Sequence, residues 1–461
     1  MGRPDVVIVS NRGPLSFTRD DRGELVTTRG GGGLVSSLGP AVAGTGATWV
    51  ATAVSAADRE ATANGAVEAE GFRLRSLAIE RDVYKQYYDV VANATLWFMH
   101  HNLFDLPRRP RIDRRWRQAW RSFEDVNRAF AEAVADEAGE GATVLVHDYH
   151  LPLVGGFLAE LRPDLRAAHF HHVPFCEPTA LGTLPDDVAL ALLEGLCGHG
   201  ACGFQSRRWA AAFEACCHAR GVTAPPTFVA PAAPSAEELL SVAHSPACEA
   251  ELAHLEEQVG DCSLLVRVDR IELSKNLLRG FLAFEELLHT EPAWRERVVF
   301  AAFVYPSRIE LADYLAYRSE VEGLVERINN TWSTPSWTPI LLDTSDSFVR
   351  SVAALRRYDV LLVNPVRDGL NLVAKEGAIV NERHGVVALS REAGVWDEVG
   401  EACLELNPFD LAGTAEALAT GLSMGMAERM ERASRLHDLA EQGSPEDWLR
   451  RQLRAAGTPG R

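Results

Sequence analysis

The sequence predicts an α/β fold made of two Rossmann-like, doubly wound domains that face a cleft. Short, nearly continuous apolar runs alternate with amphipathic stretches along the chain, which is typical of parallel strands covered by helices on both faces. The chain has 461 residues, more than one hydrophobic core usually holds. A segment rich in Pro and Ala at 230–238 separates two series of apolar runs. Two domains of roughly 200 residues each are therefore expected.

The expected strands are the apolar runs that are rich in β-branched residues. They are 5–9, 143–147, 167–172, 201–204, 263–268, 297–304, 338–342, 359–364 and 385–389. Amphipathic patterns of helical period cover 113–137, 276–289 and 310–330. The alternation of the two patterns over the whole length favours parallel sheets.

The break at 230–238 sets the expected domain boundaries. Residues 1–232 form the N-terminal domain and residues 233–443 the C-terminal domain. Residues 444–461 begin with Ser, Pro and Glu, a typical helix start, and we expect this helix to pack back on the N-terminal domain. Because ligands of doubly wound sheets bind at the carboxyl ends of the strands, residues that follow strands are the candidates for a site.

Composition excludes several classes of protein. Acidic residues outnumber basic ones by 64 to 46, for a formal charge of −18, so a nucleic-acid partner is not expected. No apolar stretch is long enough to span a membrane. The N-terminus leads directly into the strand at 5–9 without room for a signal peptide, so a cytoplasmic location is expected. The eight cysteines fit no zinc spacing, which predicts buried thiols and no metal site.

A glycine run at 30–33 leads into a helical pattern. Backbone N–H groups at the start of such a helix can bind a phosphate or a developing anion. The run lacks the strand and the acidic residue that a dinucleotide-binding motif requires. A flexible turn is the alternative interpretation.

Polar side chains follow several of the predicted strands. Asp148 lies in "VHDYH" and His172 in "HFHHVPF", each at a strand end. Charged and imidazole groups at such positions indicate contact with a ligand, and satisfied buried polar groups are the alternative. In the second half, Arg270 and Lys275 follow a strand and precede a helix. Two cations at that place suit the diphosphate of a nucleotide sugar, and solvated charges at a helix end are the alternative.

The segment "NPVRDGLNLVAKE" (364–376) also follows a strand. Asp368 and Gly369 form the turn, and the backbone N–H groups after them open a helix that can bind phosphate. Glu376 lies about two turns into that helix and is expected to reach the ribose hydroxyls of a nucleotide.

In this order along the chain, the blocks "SNRGP", "YYDVVANATLW", "HDYHL", "HVPF", "GFQS", "VDRIELSKN", "YPSR", "RYDVLLVNPVRDGLNLVAKE" and "NPFD" resemble those of trehalose-6-phosphate synthases. The resemblance runs from about residue 5 to about residue 455. It implies the GT-B fold, retention of anomeric configuration, and no metal or other cofactor. It also implies glucose 6-phosphate as acceptor, a nucleotide-linked glucose as donor, and no protein nucleophile.

The resemblance assigns roles to individual positions. Those matching the family's acceptor-binding residues are Arg12, Trp49, Tyr88, Trp97, Asp148 and Arg308. Those matching its donor-binding residues are Gly32, Gly33, His172, Arg270, Lys275, Asp368, Gly369, Leu370, Asn371, Leu372 and Glu376. Those expected to take part in catalysis are Asp148, His172, Arg270, Lys275 and Asp368.

The sequence departs from the family pattern at three places. A "GID"-like motif is replaced by "APAAPS" at 230–235, the common "LDYSKG" reads "RIELSKN" with Asn276 for glycine, and Leu370 stands for methionine. The first two resemble an actinobacterial branch that tends to use GDP-linked donors, so GDP-glucose is expected over UDP-glucose. That branch includes pseudo-glycosyltransferases, which join a GDP-cyclitol to an amino-cyclitol phosphate. This activity and a non-catalytic sugar-phosphate sensor are the alternatives. A homo-oligomer is compatible with the sequence.

Overall fold

The chain divides into two compact units in the computed structural model, which describes residues 5–29, 33–63, 65–308 and 310–457. The first unit comprises Met1–Ala232 together with Pro445–Arg461, and the second comprises Ala233–Ser444. Each unit has its own central parallel sheet with helices packed around it.

The strands of the first unit are β1 (Val6–Val9), β2 (Leu15–Arg19), β3 (Leu25–Arg29), β4 (Thr48–Thr52), β5 (Val67–Ala69), β6 (Phe72–Leu77), β7 (Thr143–His147), β8 (Arg166–His171), β9 (Ala201–Phe204) and β10 (Thr227–Val229). Those of the second unit are β11 (Ser263–Ile271), β12 (Val298–Pro306), β13 (Ile340–Asp343), β14 (Val360–Val363), β15 (Val386–Ser390) and β16 (Leu404–Leu406).

Before residue 232, the helices of the first unit are α1 (Gly33–Val42), α2 (Ala56–Ala61), α3 (Arg81–Lys85), α4 (Phe98–His100), α5 (Arg114–Glu137), α6 (Val154–Leu161), α7 (Pro178–Leu181), α8 (Asp186–Cys197) and α9 (Arg207–Ala219). A π-helix, Gln86–Trp97, joins α3 to α4.

The helices of the second unit are α10 (Ala236–Ala243), α11 (Pro246–Val259), α12 (Leu277–Thr290), α13 (Ala312–Trp332), α14 (Phe348–Arg357), α15 (Val373–Val380), α16 (Trp396–Val399), α17 (Leu411–Ser423) and α18 (Met426–Ala440). Short 3₁₀ turns lie at Leu273–Lys275, Pro292–Trp294 and Gly400–Ala402. The last helix, α19 (Pro445–Ala456), belongs to the first unit.

Both main sheets are doubly wound. The first has the order β10-β9-β8-β7-β1-β4-β6-β5, and its neighbours are parallel except β5 on β6. The second, β13-β12-β11-β14-β15-β16, is parallel throughout. The winding direction reverses between β1 and β7 in one sheet and between β11 and β14 in the other. Loops that leave adjacent strands in opposite directions open a crevice at this place, where ligands of such sheets bind.

The predicted α/β class is confirmed, and each of the nine apolar runs forms a strand. The three predicted helices correspond to α5, α12 and α13. The antiparallel hairpin of β2 and β3 and the strands β4, β5, β6, β10 and β16 were not predicted. Apart from β4, which is buried at every position, these strands are partly exposed, so they lack the continuous apolar character that marks a strand buried on both faces.

The helix α19 lies against the sheet of the first unit, beside β7, β8 and β9. Its Trp448 is 1% exposed, and the indole N–H donates to the backbone oxygen of Ala230 at 2.9 Å. The same ring stands edge-on to Phe170 and to His172, with centroids 5.1 and 5.6 Å away. A buried indole with a satisfied N–H contributes both packing area and a fixed orientation.

Four histidines are buried at or beside this sheet. They are His147, His169, His171 and His199, each no more than 2% exposed. Burial lowers the pKa of all four, to about 4 for His171 and His199, because an imidazolium ion loses its hydration there. The four rings are therefore neutral at neutral pH.

We expect the free energy of unfolding to fall as the pH is lowered from 6.5 to 4. An unfolded histidine takes up its proton near pH 6.5, whereas folded His171 and His199 do so only near pH 4. The unfolded state binds more protons in this window, so acid favours it, by up to about 3 kcal/mol for each ring. Urea unfolding at a series of pH values measures the slope.

Two variants separate the histidines from the carboxylates that titrate in the same range. His199→Asn removes one buried imidazole and should flatten the slope, whereas His218→Gln changes an exposed ring on α9 and should leave it unchanged. An identical slope in both variants would show that buried histidines are not its source.

Candidate functional site

The two reversals of winding direction bring most of the predicted site residues to the loops that follow four strands. Arg12 follows β1, and Asp148 directly follows β7. In the second unit, Lys275 follows β11 and Asp368 follows β14. Each unit thus presents its own polar cluster at the carboxyl ends of its central strands.

An ion pair joins the loops after β11 and β14. Nζ of Lys275 lies 2.6 Å from Oδ2 of Asp368 and 3.8 Å from Oδ1 of Asp269. Burial alone would lower the pKa of Lys275, but the two carboxylates outweigh it and the pKa is raised. The ammonium group is therefore charged, and 13% of the Lys275 side chain remains exposed.

The buried Arg267 holds this pair in place through two hydrogen bonds. Its side chain is fully buried, and Nη2 donates to Oδ2 of Asp269 at 2.8 Å and to the backbone oxygen of Lys275 at 3.0 Å. A Cβ at Gly280 on α12 would collide with this guanidinium. Glycine at 280 thus lets a cation lie under the loop, where it fixes both Asp269 and the turn that carries Lys275.

The loop from Asp368 to α15 is held by side-chain and backbone hydrogen bonds. Nδ2 of Asn371 donates to Oδ2 of Asp368 at 3.2 Å, and the N–H of Val395 donates to the oxygen of Leu370 at 2.9 Å. The helix itself begins at Val373, and its N-cap residue Leu372 offers no side-chain cap. The first N–H groups of a helix have no partner within it and attract anions. This helix start is suited to bind a phosphate.

Glu376 lies in the first turn of α15. Burial raises its pKa to about 7. Within the described residues, its carboxylate has neither a hydrogen bond nor an ion pair. A carboxylate desolvated without a partner is ready to accept hydrogen bonds from a ligand.

Glu272 is a residue of this cluster that the sequence analysis missed. Its side chain is 2% exposed, and Oε1 lies 2.9 Å from Nη1 of Arg308 and 3.1 Å from Nη1 of Arg270. Burial acts to raise the pKa of Glu272, but the two guanidinium groups outweigh it and lower the pKa to about 2. One signal was available, since the acid lies between two predicted ligand-binding cations in "RIELSK".

Asn276 explains one departure from the family pattern. Its backbone is left-handed, with φ 60° and ψ 38°, a conformation that glycine adopts freely and asparagine tolerates better than other residues. Its Nδ2 also donates to the backbone oxygens of Asn364 at 3.0 Å and Pro408 at 2.8 Å. The exchange of glycine for asparagine keeps the turn and ties the loops together.

In the first unit, Asp148 stands at the end of β7 with a positive φ of 74°. Its Oδ2 is 3.6 Å from Nδ1 of His150, and Oδ1 has no hydrogen-bond partner among the described residues. Burial acts to raise the pKa of Asp148, but the hydrogen bond and charge of His150, with His172 and His171, hold it below its usual range. A strained backbone that presents an ionised oxygen is typical of a ligand site.

Aromatic rings form the neighbourhood of His150. Tyr88, in the π-helix, stacks on His150 with centroids 5.6 Å apart and on Tyr84 at 5.3 Å. The hydroxyl of Tyr84 accepts from Nδ2 of Asn11 at 3.3 Å, next to the exposed Arg12. Tyr88 lies in the first turn of the π-helix, a form of helix that is rare and frequently found at functional sites.

His172 belongs to a relay of side chains. The N–H of Ala232 donates to Oε1 of Gln205 at 2.9 Å, so Nε2 of Gln205, 3.4 Å from Nδ1 of His172, is the donor to that ring. The proton of neutral His172 is then on Nε2, which donates to Nδ1 of His147 at 3.0 Å. The relay fixes the tautomer and orientation of His172.

The structure corrects the interpretation of two predicted ligand contacts. Trp49 is fully buried on β4, and its indole N–H donates to Oγ of Ser10 at 2.8 Å. Trp97 is 2% exposed and packs against His101, with centroids 4.2 Å apart. Both rings have almost no surface for a ligand, so they support the loops around the site from the core. Gly33 begins α1, whereas Gly32 lies outside the described residues.

Among the residues that the structure describes, no group of three or more His, Cys, Asp or Glu side chains is arranged to hold a metal ion. In the same part of the chain, no helix combines the length and the apolar character that crossing a membrane requires.

Comparison with known proteins places the chain in a family. The model of glycosyltransferase family 20 matches residues 4–457. A trehalose-6-phosphate synthase from Mycobacterium sp. (strain JLS) is 31% identical over 98% of this chain and 96% of its own length. A bifunctional trehalose-6-phosphate synthase/phosphatase from Thermoproteus tenax is 30% identical, and the match covers 93% of this chain but only 60% of that protein.

A solved structure agrees over the same extent. The α,α-trehalose-phosphate synthase (UDP-forming) from Burkholderia xenovorans, in complex with glucose 6-phosphate, is 28% identical, covers 99% of this chain and 100% of its own, and has a TM-score of 0.86. The fold is therefore GT-B, and this chain belongs to glycosyltransferase family 20, the family of the retaining trehalose-6-phosphate synthases.

Proposed function

We propose that this protein transfers glucose from a nucleotide-linked glucose to glucose 6-phosphate, with retention, to give trehalose 6-phosphate and a nucleoside diphosphate. The observation that carries the proposal is the charged cluster at the β11 and β14 strand ends, where Arg270 and the Lys275–Asp368 pair lie in one unit with the uncapped start of α15. Family membership supports it.

The donor diphosphate is assigned to this cluster. Arg270 has 47% of its side chain exposed, so its guanidinium is available to grip a diphosphate, and Lys275 and the N–H groups at Gly369–Leu372 complete the set. Asp368 is assigned to hydroxyls of the donor sugar and Glu376 to the ribose, and His172 keeps the donor role that the resemblance gives its position. Fixed cations stabilise the leaving diphosphate most as its charge develops, which lowers the barrier without reorganisation.

In the first unit, Asp148, Tyr88 and Arg12 are assigned to the acceptor, and Arg308 keeps the acceptor role that the resemblance gives its position. The low pKa of Asp148 makes it a weak base, so its role is to accept hydrogen bonds from sugar hydroxyls. The proton of the attacking hydroxyl then passes to the departing phosphate oxygen on the same face of the sugar. This route needs no protein nucleophile and no metal, and its rate depends on holding the two substrates in register.

The donor base is the finer part of the proposal. The resemblance of "APAAPS" and "RIELSKN" to an actinobacterial branch favours GDP-glucose, whereas the Burkholderia xenovorans relative is named UDP-forming. The experiment that tests the function offers the purified protein glucose 6-phosphate with each donor separately. Nucleotide release with a disaccharide phosphate by mass spectrometry is expected. No nucleotide release with either donor would contradict the proposal, and would favour an amino-cyclitol acceptor or a non-catalytic sugar-phosphate sensor.

Replacing Arg270 by alanine should lower kcat by a factor of about 100 or more, since one cation fewer stabilises the leaving diphosphate. Steady-state kinetics with saturating glucose 6-phosphate measures the effect. Arg327→Ala is the matched control, because Arg327 forms an exposed bidentate pair with Glu285 on neighbouring helices. Equal rates for the two variants would mean that the diphosphate is bound elsewhere.

Glu376→Gln should stabilise the ligand-free protein at pH 8 and weaken donor binding. The carboxyl loses its proton near pH 4.5 when unfolded and near pH 7 when folded, so its charge costs stability at pH 8 and nothing below pH 4. Glutamine removes that cost, about 1 to 3 kcal/mol, and also removes a charged hydrogen-bond acceptor for the ribose.

Thermal unfolding at pH 8 and pH 4, with calorimetry of nucleoside diphosphate binding, measures both effects. Glu416→Gln, at an exposed position on α17, is the control and should change neither quantity. A Glu376→Gln protein with unchanged stability at pH 8 and unchanged affinity would exclude the assigned role.

A further inference from the structure

We propose that Glu272 is a positioning residue that holds Arg270 and Arg308 in one frame, so that the donor diphosphate and the acceptor phosphate are bound in register. This inference rests on the function proposed above, which assigns Arg270 to the donor and Arg308 to the acceptor. Glu272 itself touches neither substrate, since its side chain is 2% exposed.

One carboxylate oxygen makes the connection. Oε1 of Glu272 lies 3.1 Å from Nη1 of Arg270, 2.9 Å from Nη1 of Arg308 and 3.0 Å from Oγ of Ser307. Two hydrogen bonds, from Arg308 and Ser307, and the ion pair with Arg270 converge on one buried atom, so a shift of either guanidinium changes the position that is best for the other. Charge-assisted hydrogen bonds of this kind are short and directional.

The backbone of Glu272 extends the same frame to a third cation. Its carbonyl oxygen accepts from the N–H of Lys275 at 3.0 Å and so closes the turn that presents the ammonium group. A single residue thereby sets the relative positions of Arg270, Lys275 and Arg308.

Arg308 needs this support because of its backbone. Its φ is 44°, a conformation that costs a non-glycine residue free energy and persists only where other contacts impose it. Nη1 of Arg308 donates to Glu272 and to the hydroxyl of Tyr314 at 2.6 Å, and its guanidinium lies over the Tyr314 ring. The carboxylate and the phenol together impose the strained turn.

A positioning role and a purely structural one differ in their kinetic consequences. The Glu272 carboxylate competes with substrate phosphates for the same guanidinium N–H groups, so it weakens anion binding while it orders the two arginines. Glu272→Gln removes the negative charge and keeps the shape. Anion affinity should then stay constant or rise, whereas kcat should fall because the cations lose their common anchor.

The test compares Glu272→Gln, Glu272→Asp and the control Glu285→Gln. Glu285 also pairs with an arginine, Arg327, but on helices outside the site. For Glu272→Gln we expect kcat to fall at least tenfold, while calorimetric Kd values for glucose 6-phosphate and for the nucleoside diphosphate stay within twofold or tighten. Glu272→Asp, which has the acid of the "LDYSKG" pattern, should recover part of kcat, and Glu285→Gln should match the wild type.

Two results would overturn the inference. One is a Glu272→Gln protein with wild-type kcat. The other is a Glu272→Gln protein that loses substrate affinity in proportion to its loss of thermal stability, while Glu272→Asp recovers no kcat. That result would mean that Glu272 serves folding alone. If Glu272→Gln does not fold, Glu272→Asp decides by the same split between kcat and Kd. A wild-type protein without transferase activity is a separate result, which contradicts the proposed function itself.

Discussion

The ion pair between Lys275 and Asp368 is the interaction on which the site of the second unit depends. The two residues are 93 positions apart in the chain, and only the reversal of winding between β11 and β14 makes their loops neighbours. The pair is contacted by Asn371, which donates to Asp368, and by Asp269, which lies beside Lys275. Asp269 is in turn paired with Arg267. The sheet topology thus brings Lys275 and Asp368 together. The ion pair between them then holds the loops after β11 and β14 in position.

A site of this kind is a compromise between solvation and order. Arg267 and Glu272 are almost completely buried, and each carries a charge that an apolar core would not hold without a partner. Glu272 pairs with the partly exposed Arg270 and Arg308, whereas Arg267 pairs with the buried Asp269, which lies 3.8 Å from the ammonium group of Lys275. The contacts that compensate the buried charges therefore also orient the more exposed cations.

The fold was predictable from the sequence because its central strands are buried on both faces and read as continuous apolar runs. The site was predictable where a polar residue follows such a run, as Asp148 does directly after β7 and Asp368 does in the loop after β14. Residues that act through others left weaker signals. Gln205 contacts His172 across 33 positions, and no local pattern encodes that distance. Trp49 and Trp97 differ, because their positions in the family pattern predicted contact with the acceptor but did not predict that both rings are buried.

The first unit draws its final helix from the far end of the chain, since α19 covers β7, β8 and β9. Synthesis from the N-terminus delivers the whole second unit before Trp448 is available. During that interval one side of Phe170 and His172 lacks its covering ring, and the oxygen of Ala230 lacks its donor. The order of translation therefore gives the second unit the first opportunity to fold as a complete domain. The first unit reaches its finished core only after the second unit has been synthesised and α19 has followed it.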